Sequence, residues 1–444
     1  MTTYDLSTYL KSGSEDSLSA LSPKIHSKLY RSTKDEIFSV MRYDKDTLAK
    51  EEFDTIGLFR SVIAKKGKLV SFSPPKSQPF QEMSNTSIGE EISIQQMVEG
   101  TMINVFWNPA LTDEGEYVVE NATDLNERGI KGEWEVATRS TVGGRVSYFQ
   151  EDDSPTFRRM FLEASNECCL DIDKLPISSK DGVFSYSFVL THPKNRLVSL
   201  ASRPSLHLVA IYRIDGAKVT ALTGTDIKNS CIILDTKVKY PEEFDNIDVT
   251  WDSVTKSCKD MTMEFDKPGL VFHNTSTGHR SKFRNAHYEQ VKAIRGNEPK
   301  LQYHYLQLRK EGKVKEFLRY FPDKAPDLAR YRAAVHAFTH ALYENYKSCY
   351  IKKSGKLTTF PKRFQPHMFS LHKMYLEELR EEKKFVGLPV VVGYVNNLPA
   401  SHLMYSLNYT IRERYVSKKN MGLGVAPVPS SGSSDSTSSS DDGL

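Results

Sequence analysis

Phe184-Ser-Tyr-Ser-Phe-Val-Leu-Thr-His-Pro-Lys-Asn-Arg-Leu-Val198 decides how this chain is read. Its first residues alternate large apolar side chains with small ones, the period of a strand. Pro193 and Asn195 then mark a turn, and a second strand is expected to start at Arg196. The flanks repeat the pattern. Residues 61–72 read as a hairpin turning at Lys66-Gly67, and residues 206–222 as another turning at Asp215-Gly216. Between them, residues 154–170 place Phe157, Phe161, Ala164 and Cys168 at helical spacing.

Further outward the pattern changes twice. Residues 1–45 mix Ser, Lys and Asp around short apolar patches and read as a weakly helical lead-in. Beyond residue 297 the period is helical. One helix is expected over 301–320, and a second after Pro326 with Tyr331, Val335, Phe338 and Leu342 on one face. A third is expected over 365–384 with Met368, Leu371, Tyr375 and Leu379, and a fourth over 400–415. Gly355, Pro361, Pro389 and Pro399 punctuate the connections. Residues 421–444 are rich in Gly, Pro and Ser and are expected to be disordered. Since 444 residues exceed one typical core, the expected class is α+β. It has a lead-in (1–45), a domain of antiparallel sheets (46–297), a basic all-α domain (298–420) and a tail (421–444).

The hydrophobic content of 39% suits a globular chain. No apolar run reaches the roughly 20 residues of a membrane helix. Met1-Thr-Thr-Tyr-Asp5 lacks a signal pattern, so a cytoplasmic protein is expected. The five cysteines show no C-x-x-C spacing, which points to free thiols rather than a zinc site. Residues 276–420 hold 28 Lys/Arg against 12 Asp/Glu, a charge of +16, whereas residues 1–275 carry −9. Such an imbalance points to a polyanionic partner for the basic half, or to attraction between the two halves.

Four further segments stand in order around the opening stretch: Met97-Val-Glu-Gly-Thr-Met-Ile-Asn-Val-Phe106, Val136-Ala-Thr-Arg-Ser140, Pro268-Gly-Leu-Val271 and Lys282-Phe-Arg284, followed by Tyr288. Upstream, Leu58-Phe-Arg-Ser-Val-Ile63 leads through Ser73-Pro-Pro-Lys76 to Phe80. Together, over about residues 55–297, they resemble the motifs of the phage-type RNA ligases, a branch of the covalent nucleotidyltransferases. In that family a lysine amine attacks the α-phosphate of ATP, carboxylates support the metal and ribose, and cations hold the phosphate. The resemblance puts the nucleophile at Met97 and the two metal-supporting glutamates at Ser187 and Pro268, so the scaffold is kept and the reactive groups are gone. A thioether cannot form a phosphoramidate. Asp266, two residues before Pro268, would face the same side if it lay on a strand. The resemblance makes Arg60, Glu99, Arg139, Lys282 and Arg284 the nucleotide- or phosphate-binding candidates. Chains with a similar helical part occur among large DNA viruses, which implies a viral protein of the host cytoplasm or the virion.

Other signals are weaker. Lys180-Asp-Gly182 imitates a lysine motif but is one residue short. His336 and His340 share a helix face without a third ligand. Thr141-Val-Gly-Gly-Arg145 reads as a turn. In the helical half, Lys347, Lys352, Lys353, Lys356, Lys362 and Arg363 are the nucleic-acid-binding candidates, with Tyr343, Tyr346, Tyr350 and Phe360 near them as core or base-stacking residues. The leading expectation is an RNA ligase-like pseudoenzyme that binds nucleic acid, RNA ahead of DNA, without metal or a lysyl-AMP. One alternative is an active, divergent ATP-dependent RNA ligase in RNA repair, with ATP and Mg as cofactors only if that activity survives. The other is a structural or assembly protein reusing the fold.

Overall fold

The computed structural model describes residues 2–9, 23–32, 34–84, 91–113, 115–119, 130–148, 154–179, 182–222, 227, 233, 235–244, 250–259 and 263–413. Both the Lys180-Asp181 imitation and the tail 421–444 lie outside them. The chain divides into two compact units at residues 293 and 294.

The first unit is built on three antiparallel sheets. In chain order its strands are β1 (Thr2–Asp5), β2 (Ile25–Arg31), β3 (Ile37–Tyr43), β4 (Val62–Lys65), β5 (Lys68–Ser71), β6 (Ile92–Gln96), β7 (Thr101–Pro109) and β8 (Gly132–Ala137). There follow β9 (Ser178–Ser179), β10 (Gly182–Thr191), β11 (Ser205–Asp215), β12 (Lys218–Leu222), β13 (Glu243–Phe244), β14 (Gly269–Asn274) and β15 (Arg280–Arg284). The large sheet runs β1-β12-β11-β10-β7-β8, with β9 on β10. A small sheet runs β13-β6-β14-β15, and a third runs β2-β3-β4-β5. Its helices are α1 (Phe80–Ser84), α2 (Phe157–Glu167), α3 (Trp251–Lys259) and α4 (Ala286–Arg295), the last of which crosses the division.

Strand β10 shows why the opening stretch is central. Its even face, Tyr186, Phe188 and Leu190, packs with Met160, Phe161 and Ala164 of α2. That helix starts where the Thr156 hydroxyl caps the Arg159 N–H. On the odd face, Ser185 Oγ lies 3.1 Å from Ser71 Oγ, and Ser187 Oγ donates to Asn104 Oδ1 at 2.8 Å. Both faces are covered, so the strand is buried almost throughout. Between Ser187 and Phe188 the register with β11 slips from Ala210 to Leu208, which leaves Val209 as a bulge.

The structure corrects several expectations. The lead-in is not helical, because residues 2–5, 25–31 and 37–43 are strands. Edge strand β2 is largely exposed and offers no apolar alternation to read. The segment after Pro193-Lys-Asn195 is a 3₁₀ turn and then irregular chain, and the next strand waits until Ser205. Helices α3 and α4 interrupt a region that reads as strands. The hairpins at 62–71 and 205–222 form as expected.

In the second unit, the helix expected over 301–320 is two: α5 (Leu301–Glu311) and α6 (Val314–Tyr320). Gly312 separates them in the left-handed conformation, φ 73°. Helix α7 (Ala325–Tyr346) runs into a π-helical turn, Lys347–Ile351. Helix α8 (Gln365–Met374) runs likewise into Tyr375–Leu379. Leu388–Asn397 is a further helix, α9, which Pro389 starts rather than breaks. Helix α10 (Ala400–Leu407) follows. Leu328, Val335, Phe338, Leu342, Met368 and Leu371 are buried at helical spacing. His336 and His340 are exposed on α7.

Candidate functional site

Strand β6 delivers the chain to Met97, whose N–H donates to the Gly269 carbonyl at 3.0 Å. Gly269 pairs with Arg284 across β14 and β15. Asn285 closes the same corner, with its N–H on the Pro268 carbonyl and its Nδ2 on the carbonyls of Glu264 and Lys267. Three segments read far apart in the sequence, at 97, 268–269 and 284, therefore meet at one end of the small sheet.

From Met97 the chain crosses to β7 of the large sheet, and Glu99 fixes the crossing. Its carboxylate accepts from the N–H groups of Val198 at 2.5 Å and Ser199 at 2.9 Å, and from the Tyr288 hydroxyl at 3.2 Å. Its carbonyl accepts from Thr191 Oγ1 at 2.9 Å. Asn195 Nδ2 donates to Thr101 Oγ1 at 2.9 Å. Gly100 is needed because a Cβ there would lie 2.4 Å from the Leu190 carbonyl oxygen. Val98, Met102 and Val189 pack beneath the crossing. Burial, then the neighbouring Glu99, push the Tyr288 phenol well above its ordinary range, so it stays a hydrogen-bond donor.

The positions that the sequence resemblance assigns to reactive groups hold a thioether, a hydroxyl and a proline ring. Met97 is 1% exposed. Ser187 is buried and bonded to Asn104, whose Nδ2 is buried without a partner. Pro268 offers only its carbonyl. Asp266 is exposed in a turn before β14 rather than two places along a strand, so the geometry expected of it is not there. Among the described residues no three His, Cys, Asp or Glu side chains gather as a metal site.

The candidate cations fall into two groups. Lys282 and Arg284 are on β15, and Arg284 Nη1 lies 3.3 Å from both carboxylate oxygens of Glu289. Arg280 stands two residues before Lys282 on the same face, so alternate positions of β15 form a basic stripe. Sequence reasoning missed Arg280, although the period of two in Arg280-Ser-Lys-Phe-Arg284 carries the signal. Arg60 is buried, at 2% exposed. Arg139 lies with its guanidinium 6.0 Å from the Tyr43 ring centre. The Tyr43 N–H donates to the Phe59 carbonyl, beside Arg60 in the chain.

A cavity of about 420 Å³ is lined by Tyr4, Asp54, Lys76, Gln95, His273 and Arg280, among others. Met97, Glu99, Ser187 and Pro268 are not among its described lining residues. Asp54 pairs with His279 at 3.1 Å, and Arg280 Nη2 donates to the Pro75 carbonyl at 3.1 Å. Burial, with Arg280 beside it, pushes His273 down to about 3, so its imidazole is neutral. Lys76 also lines a shallower cavity of about 270 Å³ with Lys282 and Arg284.

In the helical unit, Lys352, Lys353, Lys356 and Lys362 are exposed. Lys347 pairs with Glu344 at 2.8 Å, and Arg363 lies 4.5 Å from the Phe364 ring centre. Tyr346 is core, at 3% exposed, and Tyr350 stacks on His372 at 3.8 Å. No described helix is long and apolar enough to cross a membrane.

No protein-family model matches the sequence, and no curated protein does. Among solved structures, a Naegleria gruberi RNA ligase variant with ATP and Mn is similar at 13% identity and a TM-score of 0.31, over 59% of this chain and 76% of that one. Another variant of that ligase, with AMP and Mn, is similar at 14% identity and 0.33, over 62% and 82%. A proposed ATP-dependent DNA ligase from Aquifex aeolicus is similar at 9% identity and 0.33, over 89% and 77%. These likenesses are weak, and the site is read from its own residues.

Proposed function

We propose that this chain is a divergent RNA ligase-like protein that binds nucleic acid, RNA ahead of DNA, and has given up the covalent step. One observation carries the reading. The loop holding position 97 is clamped through Glu99 to the 191–199 segment and to Tyr288, yet position 97 itself is a buried thioether. The framework of a nucleotidyl-transfer site is kept where its nucleophile is absent.

Neither do the residues fit a metal-assisted mechanism. Ser187 is bonded to Asn104, Pro268 has no ligand atom in its side chain, and Asp266 is exposed in a turn. What these residues do support is binding. The β15 stripe of Arg280, Lys282 and Arg284 and the exposed lysines of the helical unit supply cations for phosphate oxygens, a contact that does not depend on sequence.

The test is incubation of the purified chain with α-labelled ATP and Mg²⁺ or Mn²⁺, read by denaturing gel and intact mass. The expected result is no adduct. An acid-labile AMP adduct would overturn the reading, and Lys76, which lines the two cavities described above, is the first lysine to map. Binding of RNA and DNA over a salt series gives the positive half. A ligand-independent chain, showing neither adduct nor salt-sensitive binding, would also sink it.

A further inference from the structure

A cavity of about 330 Å³ opens in the helical unit, lined from α8 and the residues before it and from α10 and the residues after it. Its floor is His367, at 8% exposed. The Ser406 hydroxyl donates to the His402 carbonyl at 3.0 Å, which leaves its oxygen to accept from His367 Nε2 at 2.7 Å. His367 Nδ1 then accepts from the Tyr394 hydroxyl at 3.0 Å. Both ring nitrogens are satisfied, and burial, helped by His402, holds the imidazole neutral. The floor is a flat ring whose two nitrogens both have partners.

The walls and rim have a different chemistry. Tyr405 is 57% exposed, too exposed for a core ring, and the Arg412 guanidinium braces it 3.6 Å from the ring centre. Tyr409, just past the turn at Asn408 that ends α10, lines the same cavity. Lys362 and Arg363 form the cationic edge, with Arg363 flattened over Phe364. A neutral floor, an exposed braced ring and two rim cations match a flat aromatic ligand that carries phosphate on one side. The volume lies at the small end of ligand pockets, roughly 300–1,000 Å³.

We propose that this cavity takes one unpaired nucleobase of a single-stranded nucleic acid, stacked on Tyr405 with its flanking phosphates on Lys362 and Arg363. The proposal rests on the nucleic-acid reading above and sharpens it. Base–aromatic stacking tolerates any base, so the site selects single strands without selecting sequence.

The full chain is titrated with a labelled oligouridylate of about 12 nucleotides and with a duplex of the same length, over a salt series. Tyr405→Ala is expected to weaken single-strand binding by about 5- to 100-fold with the salt slope and the duplex affinity unchanged. Tyr405→Phe restores it to within about 2-fold, since the stacking face is kept. Lys362→Ala with Arg363→Ala lowers the single-strand salt slope by about 1.4. Circular dichroism melting checks that each variant folds. If Tyr405→Ala binds the oligonucleotide as the wild type does, the pocket proposal fails while the nucleic-acid reading stands. If the wild type binds neither strand nor duplex, both fail. Equal losses for duplex and single strand, or displacement by uridine monophosphate at oligonucleotide concentrations, would also overturn it.

Discussion

Removing the Glu99 carboxylate should loosen the candidate site without touching a nucleotide. Glu99 is half-buried and holds three donors: the Val198 and Ser199 N–H groups and the Tyr288 hydroxyl. A hydrogen bond to a charged group contributes about 1.5–3 kcal/mol. Water can reach part of this site, so the lower end applies, and three bonds at about 1.5 kcal/mol each give roughly 4–5 kcal/mol for Glu99→Ala. Glu99→Gln keeps one oxygen but sets an amide NH₂ against a backbone donor, so about 2 kcal/mol is expected. The assay is amide hydrogen exchange on the peptide containing residues 198–199, beside a urea titration. A local loss of about 2 kcal/mol accelerates exchange roughly 30-fold. The distal hairpin Val62–Ser71 serves as the internal control. Unchanged exchange at Val198 and Ser199 in Glu99→Gln would refute the clamp. Loss of nucleotide or nucleic-acid binding with those amides unchanged would instead make Glu99 a direct ligand.

Met97→Lys should not restore adenylylation by intact mass, because Ser187 and Pro268 supply no metal ligand. It should also lower stability by several kcal/mol, since an ammonium would replace a thioether at a site 1% exposed; an AMP adduct on that lysine would show that one residue alone was missing. On the acid side, burial alone would raise the Glu36 carboxyl, but hydrogen bonds from Lys65 and Asn108 and the Lys65 charge pull it below its ordinary value. Its contribution is therefore full above the unfolded carboxylate range and lost as pH falls through the folded value, so Glu36→Gln should flatten the urea midpoint's dependence on pH below about pH 4.3, and an unchanged slope there contradicts it. Replacing Lys352, Lys353 and Lys356 together by Ala should lower the single-strand salt slope by about 2 while leaving the melting temperature within a degree or so, as all three side chains are exposed; an unaltered slope would remove them from the interface.

What the sequence discloses is local, and what it hides depends on partners far along the chain. The even face of β10 is legible because Phe184, Tyr186, Phe188 and Leu190 alternate. The odd face is not, because Ser185 and Ser187 find Ser71 and Asn104 on strands 114 and 83 residues away. Helix α9 hides behind Pro389, which looks like a break and stands at its start. The helical cavity is likewise invisible, since Lys362 and Arg363 come to Tyr405 only through the packing of His367 on Ser406.

The same distinction accounts for the residues that the motif segments keep. Gly100 is held by the approach of Leu190, Glu99 by three donors, and Thr101 by Asn195. Each of these residues has a folding task that does not depend on nucleotide transfer, so changing one costs stability at once. On the proposed reading, Met97, Ser187 and Pro268 stand where an RNA ligase would carry charged groups. Here they satisfy burial instead, through an apolar thioether, a neutral hydroxyl–amide pair and a ring without an N–H. An isolated lysine or glutamate at 97 or 187 would be costly in these surroundings. On the proposed reading, neutral side chains are the stable choice at 97 and 187, and a single charge introduced at either position would be opposed by the fold itself.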